Sequence, residues 1–305
     1  MQLAERLANG ETIILDGAIG TELERRGAPM DQGAWCATAL ETHPDLVRDV
    51  HRSYVEAGAD VLTANTYATT RMALERAGRT QHMQAWNKLA MQMAHDAAQH
   101  DSVERCVYVA GSVSTFGNFG EWSDEQLAPW FLEQGELLAQ AGADLLLLET
   151  LAAKTSTIVT AINAIAHIGL PIWVAVSCVQ DRQSGAISLG IEESQSSSKF
   201  SMVHEDLGAA IDTIMSTGGS ALLLMHSDLK ATLPGLEVMR RHFTGIRGVY
   251  PNAGYWMRPE WSFVDQITAQ TFLDEAVQWR QTGAQIIGGC CGIGPDHIRT
   301  LEALR

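Results

Sequence analysis

Two cysteines stand side by side at Cys290 and Cys291, with Gly288 and Gly289 before them and Gly292 after. Glycine flanks let both thiols turn toward one point, and thiolates favour a soft divalent metal such as zinc. Free cysteine also packs as a small buried hydrophobe, so the pair alone reads either as metal ligands or as core. A catalytic zinc takes three protein ligands and leaves a fourth position for substrate. Two residues are candidates for the third ligand. His226 follows the apolar run Leu222–Met225, and Cys178 follows the run Ile172–Val176. Five cysteines, two of them adjacent, suit reduced thiols in a cytoplasmic protein better than a disulfide framework.

Residues so far apart in sequence meet only if the fold collects them. Short apolar runs recur along the chain: 12–15, 61–64, 107–111, 145–148, 172–176, 221–225, 248–250 and 285–288. Between them lie stretches with helical spacing, among them 45–57, 71–77, 83–99, 124–141, 156–168, 207–216 and 271–282. Ala57-Gly58-Ala59, Ala141-Gly142-Ala143 and Thr282-Gly283-Ala284 each place a glycine where a helix ends before a strand. Strands apolar on both faces and alternating with helices indicate a parallel sheet. Eight such units predict a single α/β domain over 1–305, a (β/α)₈ TIM-type barrel, with a doubly wound open sheet as the rival. The polar stretch Ser194–Lys199 reads as a loop after the fifth strand.

In a barrel, the chemistry sits at the C-terminal strand ends. The runs close on Asp16-Gly17, Asn65-Thr66, Gly111-Ser112, Glu149-Thr150, Ser177-Cys178, His226-Ser227-Asp228, Asn252 and Cys290-Cys291. Every one is polar or able to bind metal. Structural roles are open for several of them: Asp16 as a helix cap, Glu149 as an ion-pair partner, Asn65 and Asn252 as turn residues. Trp122, Trp130, Trp256 and Trp261 fall near the same rim, either as packing or as a wall for a cationic ligand.

The formal net charge of −15 argues against nucleic acid or an anionic membrane surface as partner. The first residues lack a signal-peptide core, and no run of 18 apolar residues occurs, so the expected location is cytoplasmic.

At these positions the chain resembles the homocysteine S-methyltransferase family, which includes betaine– and S-methylmethionine–homocysteine methyltransferases and the homocysteine domain of cobalamin-dependent methionine synthase. The resemblance runs through Leu15–Leu23, Ala64–Tyr67, Ala110–Val113, Ala143–Thr150, Tyr250–Gly254 and Ile287–Gly292 with Pro295–Ile298. It implies a barrel that binds Zn²⁺ through three cysteines, two of them matching Cys290 and Cys291. It also implies methylation of a small-molecule thiol, homocysteine, to methionine. The implied methyl donor is a sulfonium, a betaine or a methyl-corrinoid protein. Glu149 would bind the amino group of the acceptor, with Asp16, Gly17 and Ala18 nearby. Asn65, Ser112 and Asn252 would shape the pocket.

The chain departs from the family's pattern at three places. His226 stands where the third cysteine belongs, giving a His226–Cys290–Cys291 site with one negative charge fewer. The usual Gly-Pro-Tyr-Gly loop is replaced by Ser114–Gly120, and the serine-rich stretch follows strand five. These departures leave room for a different thiol acceptor, or for a homologue that binds zinc or ligand without turnover.

Overall fold

The computed structural model describes residues 2–99, 105–181, 183–191, 204–257, 260–263 and 266–305, with the backbone alone at 255–257. Each apolar run forms a strand: β1 Ile13–Ile14, β2 Val61–Thr63, β3 Tyr108–Ser114, β4 Leu145–Thr150, β5 Ile172–Val176, β6 Ala221–Asp228, β7 Ile246–Asn252 and β8 Ile286–Ile287. All are parallel, and each pairs with its neighbour in sequence from β2 through to β5 and from β5 on to β8. β8 returns to β1 with Ile13 opposite Ile286, and a Leu15–Val61 bridge joins β1 to β2. The Asp60 N–H donates to the Ile14 carbonyl at 2.7 Å, and the Asp16 N–H to that of Val61 at 3.0 Å. The sheet is thus a (β/α)₈ TIM-type barrel.

Period-two alternation sorts the side chains into two cores. Leu145, Leu147, Ala221, Leu223, Met225 and Ile286 fill the barrel interior. Leu146, Leu148, Leu222, Leu224 and Ile287 point the other way, under the surrounding helices. The short N-terminal helix Leu3–Ala8 plugs the bottom of the barrel with Leu7. There Asp60 is nearly fully buried and pairs with both Arg6 and Arg305.

The helices fall where their spacing predicts, within a few residues at each end. The helix Leu229–His242 after β6 is absent from the sequence reading, as are the short helices Leu3–Ala8, Gly20–Arg25, Ala39–Thr42 and Pro295–Thr300. Pro234 and Gly235 in the middle of Leu229–His242 dilute its helical signal. β6 also runs three residues past the predicted end at Met225. After β5 the chain forms three short antiparallel strands, Cys178–Gln180, Ile187–Leu189 and Glu205–Asp206. The stretch Ser194–Lys199 lies outside the described residues. Among the described residues, no helix is long and apolar enough to cross a membrane.

His51, on the helix Pro44–Glu56, is fully buried, and neither ring nitrogen meets a partner among the described residues. Burial pushes its pKa down from 6.5 to about 4. Between those values the unfolded chain binds a proton that the folded chain refuses, so stability falls as pH drops through this window. The imidazole alone should cost about 2 kcal/mol of unfolding free energy between pH 7 and 4.5. Urea unfolding at both pH values should therefore show wild type losing about that much more than His51→Leu.

Candidate active site

The glycines around the cysteine pair are forced by close backbone approach. A Cβ on Gly288 would lie 2.7 Å from the Asp16 carbonyl oxygen, and one on Gly289 would lie 2.1 Å from the Ile293 side chain. At Gly292 (φ +80°) a Cβ would sit 1.9 Å from the carbonyl oxygen of Ala253. The segment is held between its neighbours by backbone bonds. The Gly289 N–H donates to Asp16, that of Cys290 to Pro251, and the Ala253 N–H to Cys291. Both cysteines are thereby fixed above the mouth of the barrel, with sulfurs 4.0 Å apart.

His226 reaches them by a different device. Strict alternation along β6 sends 221, 223 and 225 inward and would turn residue 226 outward. Instead the register shifts. Met225 opposes Tyr250, but Asp228 opposes Asn252, so β6 carries one extra residue there. His226 adopts φ +44° within this bulge. Bulges re-aim side chains in this way. The ring swings inward, with Nδ1 3.4 Å from the Cys290 sulfur and the ring edge-on to Trp261, centroids 5.7 Å apart.

The three ligand atoms lie within 4.8 Å of one another. Tetrahedral coordination at ordinary Zn–S and Zn–N lengths requires separations of about 3.8 Å for S···S and about 3.6 Å for N···S. The two separations that involve Cys290, 4.0 Å and 3.4 Å, come close to these, the third separation lies within 4.8 Å, and the donor types suit a soft divalent ion. The electrostatics agree. The neighbouring Cys291 thiol, helped by His226, pulls the Cys290 pKa well below its usual value, whereas Cys291 is held well above its own. Cys178, the rival ligand, is corrected by the structure: its sulfur is buried toward the Ala231 carbonyl, beneath the helix after β6.

Beneath the three ligands lies a pocket of about 850 Å³, counting the space open to solvent at the strand ends. Asp16, Gly17, Ala18, Asn65 and Glu149 all line it. Glu149, next to last in β4, faces inward, buried, accepting from the Ser112 hydroxyl and, at 3.2 Å, from the Tyr250 hydroxyl. Burial pushes its pKa up to about 8 against those two donors. Asp16 is likewise raised by burial, while accepting from the Thr63 amide and hydroxyl at 2.7 and 2.9 Å. It does not cap the following helix, whose N-cap is Ile19. No lysine or arginine occurs among the described lining residues.

Ser112 and Asn252 stand behind the wall instead of in it. Ser112 reaches the pocket only through Glu149, and the Asn252 amide donates to Gly254. Of the four rim tryptophans, Trp261 lines the pocket. Trp122 and Trp130 pack on each other at 5.3 Å, and the Trp256 side chain lies outside the described residues. The aromatic wall is made instead by Trp35, Tyr67 and Phe116, with centroids 5.1 to 6.1 Å apart. Trp35 takes φ +42°, and the adjacent Cys36 thiol donates to Asn65 at 3.2 Å. The sequence signal for Trp35 is weak, because the residue sits in an irregular segment with no strand to read it from.

A model of the homocysteine S-methyltransferase family matches residues 13–304. The chain belongs to this family. A selenocysteine methyltransferase from Astragalus bisulcatus is 26% identical over 325 residues, spanning 95% of this chain and 91% of its own. A homocysteine S-methyltransferase from Bacillus subtilis is 26% identical over 315 residues, spanning 95% and 93%. The solved structure of the homocysteine methyltransferase MmuM from Escherichia coli, in its metallated form, aligns with a TM-score of 0.78 at 25% identity over 99% of both chains. As a member of the homocysteine S-methyltransferase family, the chain is a methyltransferase that acts on a small-molecule thiol.

The tightest packing in the site is at Gly292. Gly292→Ala should lower unfolding free energy by roughly 2 kcal/mol, from backbone strain and the clash with Ala253, as read by urea unfolding. It should also weaken metal binding in equilibrium dialysis, because the strand end that carries Cys291 must shift.

Proposed function

We propose that the chain, as one barrel domain over 1–305, is a zinc-dependent cytoplasmic enzyme that methylates homocysteine to methionine from a compact cationic donor. The observation that carries this reading is the convergence of a His226 ring nitrogen and the two cysteine sulfurs, within 4.8 Å of one another, over a pocket with two buried carboxyls. His226, Cys290 and Cys291 would hold the zinc. When bound, it supplies the positive charge that keeps a coordinated thiol as thiolate near neutral pH.

The remaining work falls to side chains. Glu149 and Asp16 are carboxyls that burial makes reluctant to ionise, so a cationic partner stabilises both. The α-ammonium group of the acceptor meets that need at Glu149, with the backbone of Gly17 and Ala18 alongside. Ser112 and Tyr250 aim the Glu149 carboxylate by donating one hydroxyl to each oxygen. Asn65, held by Cys36, shapes the same side. Trp35, Tyr67 and Phe116 offer ring faces and edges to a sulfonium or quaternary ammonium donor. Held this way, the acceptor thiolate would attack the donor methyl in line, forming one S–C bond as the methyl–onium bond breaks and its electron pair returns to the donor, which leaves as a thioether or tertiary amine.

A methyl-corrinoid partner lacks comparable support, because an aromatic wall suits a compact cation. A different small thiol or selenol as acceptor gains some support from the selenocysteine methyltransferase among the relatives.

With imidazole in place of a thiolate, the protein ligands carry one negative charge fewer, which leaves the acceptor sulfur less electron-rich. Purified protein should hold about one zinc per chain by metal analysis, lost in Cys290→Ala. Methionine should form from homocysteine with S-methylmethionine or glycine betaine; metal-free protein that stays inert when zinc is supplied would sink the reading. His226→Ala should weaken zinc binding by roughly 100-fold. His226→Cys should keep the zinc and change the methyl-transfer rate. If neither affinity nor rate moves in His226→Cys, imidazole is not the third ligand.

A further inference from the structure

The segment that carries Phe116 is held at its start by Ser114, whose hydroxyl accepts from the Phe116 N–H at 3.1 Å, and by Thr115, which donates to the Glu149 and Leu151 carbonyls at 3.1 and 3.2 Å. Ser114–Gly120 contains glycines at φ +93° (Gly117) and +85° (Gly120), and Phe116 leaves β3 directly over the pocket. Beyond Phe116 the segment rests on the helix Arg71–Ala77, which follows β2. The Thr70 hydroxyl caps that helix by accepting from Ala73 at 3.0 Å, and donates to the Phe116 carbonyl at 2.8 Å. Gly117 lies so close to the helix that a Cβ there would meet the Ala73 nitrogen at 2.5 Å.

Arg76 adds contacts over the second half of the segment. Its Nε donates to the Gly117 carbonyl at 2.6 Å, and its guanidinium pairs with Glu121. The same guanidinium lies over the Phe119 ring, 4.5 Å from the centroid, and 5.4 Å from that of Trp122. Trp122 in turn packs on Trp130 of the helix Asp124–Gln140. One planar cation thus ties both ends of 117–122 to a rigid element, which a lysine ammonium cannot do because it neither stacks nor donates as a fork. Arg76 itself does not line the pocket.

We propose that Arg76 is a positioning residue for the methyl donor: it clamps residues 117–122 so that Phe116 stays in place as the donor-side wall. This rests on the reading that a cationic donor sits against Trp35, Tyr67 and Phe116. The role is indirect, and it separates the two substrates. The acceptor's groups, Glu149 and Asp16, belong to strand ends that Arg76 does not touch.

Two measurements on the zinc-loaded full chain test this. Hydrogen exchange should show the amides of 116–122 opening about tenfold faster in Arg76→Ala, with the barrel strands unchanged. In steady-state methyl transfer, the KM for S-methylmethionine should rise about tenfold, while the KM for homocysteine and the zinc content stay constant. Arg76→Lys should regain only part of both effects, and Glu121→Gln should produce a smaller version of them. Unchanged exchange in Arg76→Ala overturns the clamp. Faster exchange with an unshifted donor KM, or with both KM values raised equally, overturns the role toward the donor. If the wild type transfers methyl from neither S-methylmethionine nor glycine betaine, the donor reading itself is overturned, and with it the role of Arg76 toward the donor.

Discussion

The site depends on how closely the backbone after β8 can approach its neighbours. Cys290 and Cys291 occupy the mouth of the barrel because Gly288 lies against Asp16, Gly289 against Ile293 and Gly292 against Ala253, with no room for a Cβ at any of the three. The strand bonds of β1 and β7 then lock the segment from both sides. Two sulfurs held by backbone in this way need little help from their own rotamers. The third ligand comes from β6, a strand that has to be distorted to supply it.

The pocket below has an unusual charge balance. Two carboxyls and two thiols face a cavity whose described lining offers no lysine or arginine. Burial acts against ionising the carboxyls, and hydroxyl or amide donors from Ser112, Tyr250 and Thr63 only partly offset it. A cavity in this state is completed by cations: a metal at the sulfurs, an ammonium at the carboxyls and an onium methyl donor at the rings. Aromatic rings recruited from three separate segments accept such a donor without adding a formal charge.

The barrel was legible in the sequence because apolar runs and helical spacing alternate eight times, and the strand ends could be read directly from where each run stops. Asp16, Asn65, Glu149, His226, Cys290 and Cys291 all came from that reading, and all reach the pocket. Ser112 was legible as a neighbour but not as a support that acts through Glu149, since that distinction depends on which face of β3 meets β4. The aromatic wall was misjudged. Trp35 lies in an irregular segment, and Phe116 in a loop held jointly by Ser114, by the end of β4 and by a helix forty residues earlier, so neither belongs to a periodic pattern. The helix after β6 was hidden by its internal proline, and Cys178 could be separated from the metal ligands only once its burial under that helix was known.

The bulge in β6 also bears on how this site can change over time. The direction of residue 226 is set by one inserted position and a positive φ, so the backbone aims whatever side chain stands there. Imidazole and thiol are therefore interchangeable by a few base changes, and each keeps a line of sight to the same point. Loss of the extra residue is a different event, because it would restore strict alternation and turn the position toward the helices. The identity of the third ligand is thus easily altered by substitution, whereas its presence is guarded by chain length at a single strand end.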